Sequence, residues 1–368
     1  MPNKVYDIDK ERIINNINLL MNNLVNIRDD SGKFLLKLED GRVIDTKGWN
    51  GWEWTHGIAL YGLYKYYEHT GNNQALNIIN NWFRNRFEEG TTTKNVNTIS
   101  PFLTLVSLYE DTKNKYFLPY INEWFEWVMN EMPRTDEDGL QHIVYNNENK
   151  QQIWVDTLMM CVLPLAKAGV VLKKQKYIEE SKKQFLLHIK YLADKRTGLW
   201  FHGWSFAGRH NFAEAFWARG NCWATISIVD FVELLSLDDN DPMGKYLLDT
   251  LRNQIRSLTK FQDKGGLWHT ILDDESSYLE ASATAGFAYG ILKAVRKHYV
   301  DKNYLEVGIK ALKGILNNIS NDGELQNVSF GTPVFNTIQE YKDVPITSMP
   351  YGQALAILAL SEFLNFFI

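Results

Sequence analysis

Cysteine, clustered basic residues and long apolar runs are all scarce in this chain. Its two cysteines, Cys161 and Cys222, are too few for a disulfide scaffold and lack metal-ligand spacing. Lys and Arg form no tract or stripe and the formal net charge is −5, which argues against nucleic acid as a partner. No apolar stretch approaches the roughly 20 residues needed to span a bilayer, so no membrane association is expected. The opening Met1-Pro2-Asn3-Lys4 has no charged-then-apolar leader ending in small residues. The expectation is a soluble cytoplasmic protein, unless a leader was removed. Gly203-x4-Gly208 is not followed by Lys-Ser/Thr, so it is no phosphate loop. There is no nucleophile elbow, Cys/His pair or His-x-x-x-His pattern either, and neither cofactor nor metal is expected.

What the chain has in quantity is apolar and aromatic side chains. With 45% hydrophobic residues over 368 positions, it can bury one large core. Helical periodicity dominates and strand-like alternation is scarce. The periodic segments are 9–27, 52–70, 74–89, 96–112, 114–131 and 152–169, then 173–194, 213–236, 242–263, 277–298, 302–318 and 346–367. Connections after the even segments are short, such as Gly71-Asn72-Asn73. Those after the odd segments are mostly longer, such as 135–152 and 197–212. Alternation of this kind describes six helical hairpins, none able to bury its apolar face alone. The Asp-rich stretch 237–242 is too short for a linker, so residues 1–368 read as one catalytic domain, a monomer or weak homo-oligomer. Segments two, six, eight, ten and twelve are apolar around much of their circumference, as enclosed helices must be. The fold expected is all-α, a closed (α/α)6 barrel with the even segments inside and their starts gathered at one end.

Those starts carry the unusual residues. They are Trp52-Glu53-Trp54-Thr55-His56-Gly57, Asn95-Val96-Asn97-Thr98, Trp154-Val155-Asp156-Thr157, Trp217-Ala218-Arg219-Gly220-Asn221-Cys222-Trp223, Glu280-Ala281-Ser282 and Thr347–Gly352. Aromatic faces beside polar groups suit sugar rings, although helical packing accounts for part of the twelve Trp. An oligosaccharide is therefore the partner expected. Asp156 is the candidate acid. Its competing reading is an N-cap, favoured by the helix dipole. Arg219 offers a planar fork for a carboxylate, or else a structural ion pair. His202 and His142 lie in consecutive long linkers, where packing competes with ligand binding. Glu53 and Glu280 are second carboxyls whose plainer roles are capping and loop bracing.

Taken in order, these clusters resemble glycoside hydrolase family 105, over nearly the whole chain. The matching motifs are Trp-x-Trp-x-x-Gly-x-Ala-Leu-Tyr-Gly at 52–62, Asn95-x-Asn97-Thr98, Trp154-x-Asp156-Thr157, Gly198–His202 and Trp217-x-Arg219-Gly220-Asn221-x-Trp223. The resemblance implies an unsaturated rhamnogalacturonyl hydrolase, acting where a lyase has left a 4,5-unsaturated uronic acid. It further implies that Asp156 protonates C4 of the alkene and then activates water for C5. His202 and Arg219 would contact the uronate, with Trp54, Trp154, Trp217 and Trp223 shaping its subsite and His142 and Asn97 nearby. Related unsaturated glucuronyl hydrolases look to use an Asp near Asn97, and the amide here cannot take a proton. Three alternatives stay open at this level: an unsaturated glucuronyl hydrolase, a sugar epimerase with paired His, and a non-catalytic helical-repeat binder.

Overall fold

A computed structural model describes residues 4–367; the leader reading of residues 1–3 lies outside them. Twelve helices of nine or more residues occur among the described residues: α1 (Lys10–Asn26), α2 (Trp54–Thr70), α3 (Asn73–Glu88), α4 (Phe102–Thr112), α5 (Leu118–Asn130) and α6 (Leu163–Val171), then α7 (Gln175–Leu192), α8 (Ala218–Leu234), α9 (Pro242–Phe261), α10 (Ala281–Arg296), α11 (Leu305–Leu316) and α12 (Pro350–Leu364).

The pattern of apolar residues decides which helices go inside. Every residue of α12 is buried, and so is α10 from Ala281 to Val295. By contrast α9 buries one stripe, including Leu247, Leu248, Leu251, Ile255 and Leu258, the spacing of a helix with one wet face. The even helices close a ring: α2 packs on α4, α4 on α6, α6 on α8, α8 on α10, α10 on α12 and α12 on α2. The odd helices lie outside: α3 on α2, α5 against both α4 and α6, α7 on α6, α9 on α8, α11 mainly on α10, and α1 on α12. The sixth hairpin is thus made from the two ends of the chain. This is the (α/α)6 barrel.

Close approach inside the ring rests on small residues. A Cβ on Gly62 would sit 2.5 Å from the Ala354 carbonyl oxygen, and one on Gly286 would sit 2.7 Å from Cys222 Sγ. Neighbours this near leave no room for a side chain at either glycine. Truncating a ring residue such as Leu355, fully buried, to Ala costs about 2–5 kcal/mol.

Short turns behave as their residues dictate. Gly71 ends α2 with φ 68, and Asn72 then caps α3 through the Ala75 N–H, conformations that Gly and Asn adopt cheaply.

The inner helices begin later than their periodicity suggests. Pro101 splits 96–112 into a turn at Val96–Ile99 and α4. Residues Gln152–Trp154 are extended and pair with Gly203–Ser205. A π-turn over Leu158–Val162 then precedes α6, where Pro164 has no N–H to continue the ladder. Leu279–Glu280 pairs with Trp268–His269, and isolated bridges join Trp217 to Ile271 and Ser329 to Ile346. Trp154, Trp217 and Glu280 among the openers therefore sit on short ribbons that rim the barrel. Apolar residues within those ribbons had extended the helical period past its true start.

Candidate active site

A cavity of about 380 Å³ opens where the inner helices start, and its wall includes Trp54, Asn97, His142, Trp154, Asp156 and Trp217. Six of the nine residues singled out from the sequence thus share one wall. His202, Arg219 and Trp223 stand behind it.

The strand pairing of 152–154 with 203–205 fixes Asp156 against His202. Val155 N–H donates to the His202 carbonyl at 2.9 Å, and Asp156 Oδ2 lies 3.1 Å from His202 Nε2. The carboxylate's hydrogen-bonding partner is thus the imidazole just before the neighbouring strand. The other imidazole nitrogen, Nδ1, is 2.8 Å from the Tyr341 hydroxyl, which accepts the Phe335 N–H. An ionised Asp156 can only accept, so a histidine proton lies on Nε2, toward Asp156. Burial pushes the Asp156 carboxyl up, but the charge and hydrogen bond of His202 outweigh it, so it titrates below its ordinary range. Burial also depresses His202, against the pull of Asp156. His142 stacks on Trp154 at 4.1 Å, its Nδ1 is 2.9 Å from the Thr157 hydroxyl, and burial holds it neutral down to about 3. His202 packs 4.1 Å from Trp217.

Arg219, expected at a ligand carboxylate, is fully buried behind the wall. Its donors go to the Ser329 carbonyl at 3.0 Å, the Phe330 carbonyl at 2.8 Å, and the hydroxyls of Ser329 and Thr332. Glu280 lies 3.7 Å away. The guanidinium is sandwiched 4.7 Å from Trp217 and 4.9 Å from Tyr351. Arg219 therefore builds the wall: it fixes the 329–332 segment, part of which lines the cavity. Trp223 is likewise fully buried, an edge-on backing for Trp54 at 6.0 Å. Trp54 stacks on Tyr351 at 4.5 Å and turns its free side to the cavity.

Glu280 braces the rim, accepting from the Ala283 and Ser329 N–H groups and the Ser282 hydroxyl. Glu53 differs. It lines the cavity, accepts the Trp54 N–H at 2.8 Å and the Asn97 amide at 3.3 Å, and burial pushes its carboxyl up to about 7. No cluster of three or more His, Cys, Asp or Glu that could hold a metal ion occurs among the described residues.

A ring-of-helices fold with this wall has known relatives. The profile of Glycosyl Hydrolase Family 88 matches residues 26–367. The chain belongs to that family. It is a glycoside hydrolase. It is 34% identical to the unsaturated rhamnogalacturonyl hydrolase YesR of Bacillus subtilis (strain 168), across 85% of this chain and 90% of that one. A crystal structure from Salmonella enterica, described as a possible member of the GH105 family, is 57% identical, covers 100% of this chain and 97% of its own, and superposes with a TM-score of 0.98. Its counterpart from Klebsiella pneumoniae, also described as a possible GH105 member, is 55% identical over 100% and 96%, with a TM-score of 0.97.

Part of the site in this family 88 hydrolase was not foreseen. Residues Leu35–Lys37 and Val43–Asp45 form a hairpin whose approach brings Lys33, Phe34 and Leu36 to the cavity. Phe34 meets Phe330 at 4.8 Å, so the hairpin and the Arg219-held segment touch over the pocket. Apolar residues on both sides of Asp40-Gly41 are a hairpin signal, with Gly41 supplying φ 87 at the turn. Tyr145 and Asn149 come from the 133–151 linker, where nothing local marks them. No helix among the described residues is long and apolar enough to cross a membrane.

Proposed function

We propose that this hydrolase releases a 4,5-unsaturated uronic acid from the non-reducing end of lyase-generated oligosaccharides, with unsaturated galacturonyl-rhamnose as the substrate. The observation that carries the reading is Asp156, a partly exposed carboxyl on the wall of an aromatic-sided pocket of one-sugar scale, paired to His202. Similarity to the Bacillus subtilis enzyme supports the unsaturated substrate and the rhamnogalacturonyl class.

The chemistry follows from the alkene. The C4=C5 bond is a vinyl ether, so a proton added at C4 leaves a cation at C5 that the ring oxygen stabilises. Water adds to C5, with Asp156 accepting its proton. The resulting hemiketal opens to a ketone, and the exposed hemiacetal at C1 expels the second sugar. Trp54, Trp154 and Trp217 offer faces for the ring, and the neutral amides of Asn97 and Asn149 offer hydrogen bonds to its hydroxyls.

Purified protein incubated with lyase-treated rhamnogalacturonan should remove the ultraviolet absorbance of the conjugated C4=C5 group. Absence of bleaching on every unsaturated uronide would end the proposal. Comparing galacturonyl with glucuronyl disaccharides separates the substrate class from its alternative, and products of unchanged mass would instead mark an epimerase.

A further inference from the structure

Among the described residues lining the cavity, two carry carboxyl groups, Asp156 and Glu53. They arrive from different helices of the ring and have opposite surroundings. Asp156 has an imidazole against it. Glu53 has no ion-pair partner among the described residues: its two oxygens meet the Trp54 N–H and the Asn97 amide, both neutral, and it is 3% exposed. Its capping is a single bond to the adjacent residue, whereas Glu280 also accepts from the Ser282 hydroxyl and the Ser329 N–H. Other titratable or charged groups of the pocket are Tyr145 and His142 from the 133–151 linker and Lys33 before the hairpin. His56, one turn along α2, donates its backbone N–H to the Glu53 carbonyl at 3.1 Å and is itself kept neutral by burial.

Hydrating an alkene requires a donor of one proton and an acceptor of another. A single carboxyl can do both only by changing state between steps. Two carboxyls with surroundings that favour opposite states divide the work. Asn97 cannot take the donor role, because its amide has no acidic proton. We propose that Glu53 delivers the proton to C4 of the unsaturated sugar while Asp156 draws the proton from the water that attacks C5. This rests on the hydration reading above and assigns its two halves.

The steps balance. The Glu53 O–H bond breaks, the alkene π pair forms the C4–H bond, and Glu53 is left as a carboxylate. Water oxygen bonds to C5 and passes one proton to Asp156. When the hemiketal opens, Glu53 takes the proton of the new C5 hydroxyl, the C5–ring oxygen bond breaks, and Asp156 returns its proton to that oxygen. Both carboxyls regain their starting states, with one water consumed. Burial, which outweighs the two neutral hydrogen bonds and raises the Glu53 carboxyl to about 7, suits it to hold a proton near neutrality. The His202 contact suits Asp156 to lack one.

The test is the pH dependence of kcat/KM for loss of the alkene absorbance of an unsaturated disaccharide, in the wild type, Glu53→Gln and Glu53→Asp. The wild type should lose activity as pH rises through about 7. Glu53→Gln keeps an oxygen for the Trp54 N–H; it should fold, fall at least about a hundredfold and lose that alkaline limb. Glu53→Asp should keep a limb that the Gln variant lacks. If the Gln variant retains its rate, or falls in rate with the limb intact, the proposal is overturned, the second case marking a structural role. Should the Gln variant not fold, a wild-type profile without an alkaline limb overturns it equally. Absence of any wild-type bleaching would instead defeat the substrate reading, so the two failures are told apart.

Discussion

Asp156 Oδ2 and His202 Nε2 lie 3.1 Å apart although 46 residues separate them in the chain. The two-stranded ribbon behind them, bonded from Val155 N–H to the His202 carbonyl, sets that distance through backbone geometry. The pair is thereby insulated from the rotamer freedom that usually weakens contacts between distant side chains.

Because the ribbon holds the frame, Asp156→Asn should fold with a melting temperature close to that of the wild type. Its rate on unsaturated disaccharide should fall at least about a hundredfold, the scale of general acid–base catalysis, while calorimetry still detects binding. Retained turnover would mean that another group accepts the water proton.

Arg219→Met removes a buried cation whose donors reach three loop residues and whose charge faces Glu280. Breaking such a pair typically costs about 3–5 kcal/mol, since the remaining carboxyl is left buried and unpaired. Chemical denaturation should show that loss, together with a raised KM as the 329–332 wall loosens. A variant as stable as the wild type would remove the wall-building role.

Acid should destabilise the fold through its buried histidines. Burial depresses His56 to about 4, His142 to about 3 and His188 to about 4, from an ordinary 6.5. Each is neutral in the folded chain and protonates near 6.5 once unfolded. Between those values the unfolded state binds more protons, so stability falls as pH falls from 6.5 toward 4. Each histidine loses ~1.4 kcal/mol of its contribution for every pH step of about one across that interval. Glu53, raised from 4.5 to about 7, acts with the opposite sign over part of this window, one group against three. Denaturation midpoints across the window should drop, and His188→Gln should shrink the drop. A flat profile would contradict the burial of these rings.

Lys33 is the one Lys or Arg among the described residues lining the cavity. An anionic sugar entering the pocket meets that charge, exposed and therefore screened. Lys33→Met should raise KM a few-fold, with kcat little changed, and weaken the dependence of KM on salt. An unchanged KM at low ionic strength would exclude Lys33 from the carboxylate's surroundings.

Position along the inner helices made most of the wall readable. Trp54, Asn97, Trp154, Asp156 and Trp217 stand at or near inner-helix starts, so one rule of periodicity brought them together. The same rule gave no sign that Arg219 and Trp223 stand behind the wall. On an enclosed helix, residues within the first two turns can point into the packing as readily as into the pocket, and the Ser329 and Phe330 carbonyls give the guanidinium its partners. Lys33, Phe34 and Tyr145 were missed because long linkers carry no period that says where they land.

The order of apolar and polar residues was enough to specify twelve helices, their inside and outside, and the end at which the cavity opens, because burial acts on every turn of a helix alike. Which carboxyl meets a histidine, which stays alone among neutral donors, and which cation packs behind the cavity wall were decided by contacts between segments remote in sequence. Those contacts fix local solvation and charge, and no local pattern encodes either.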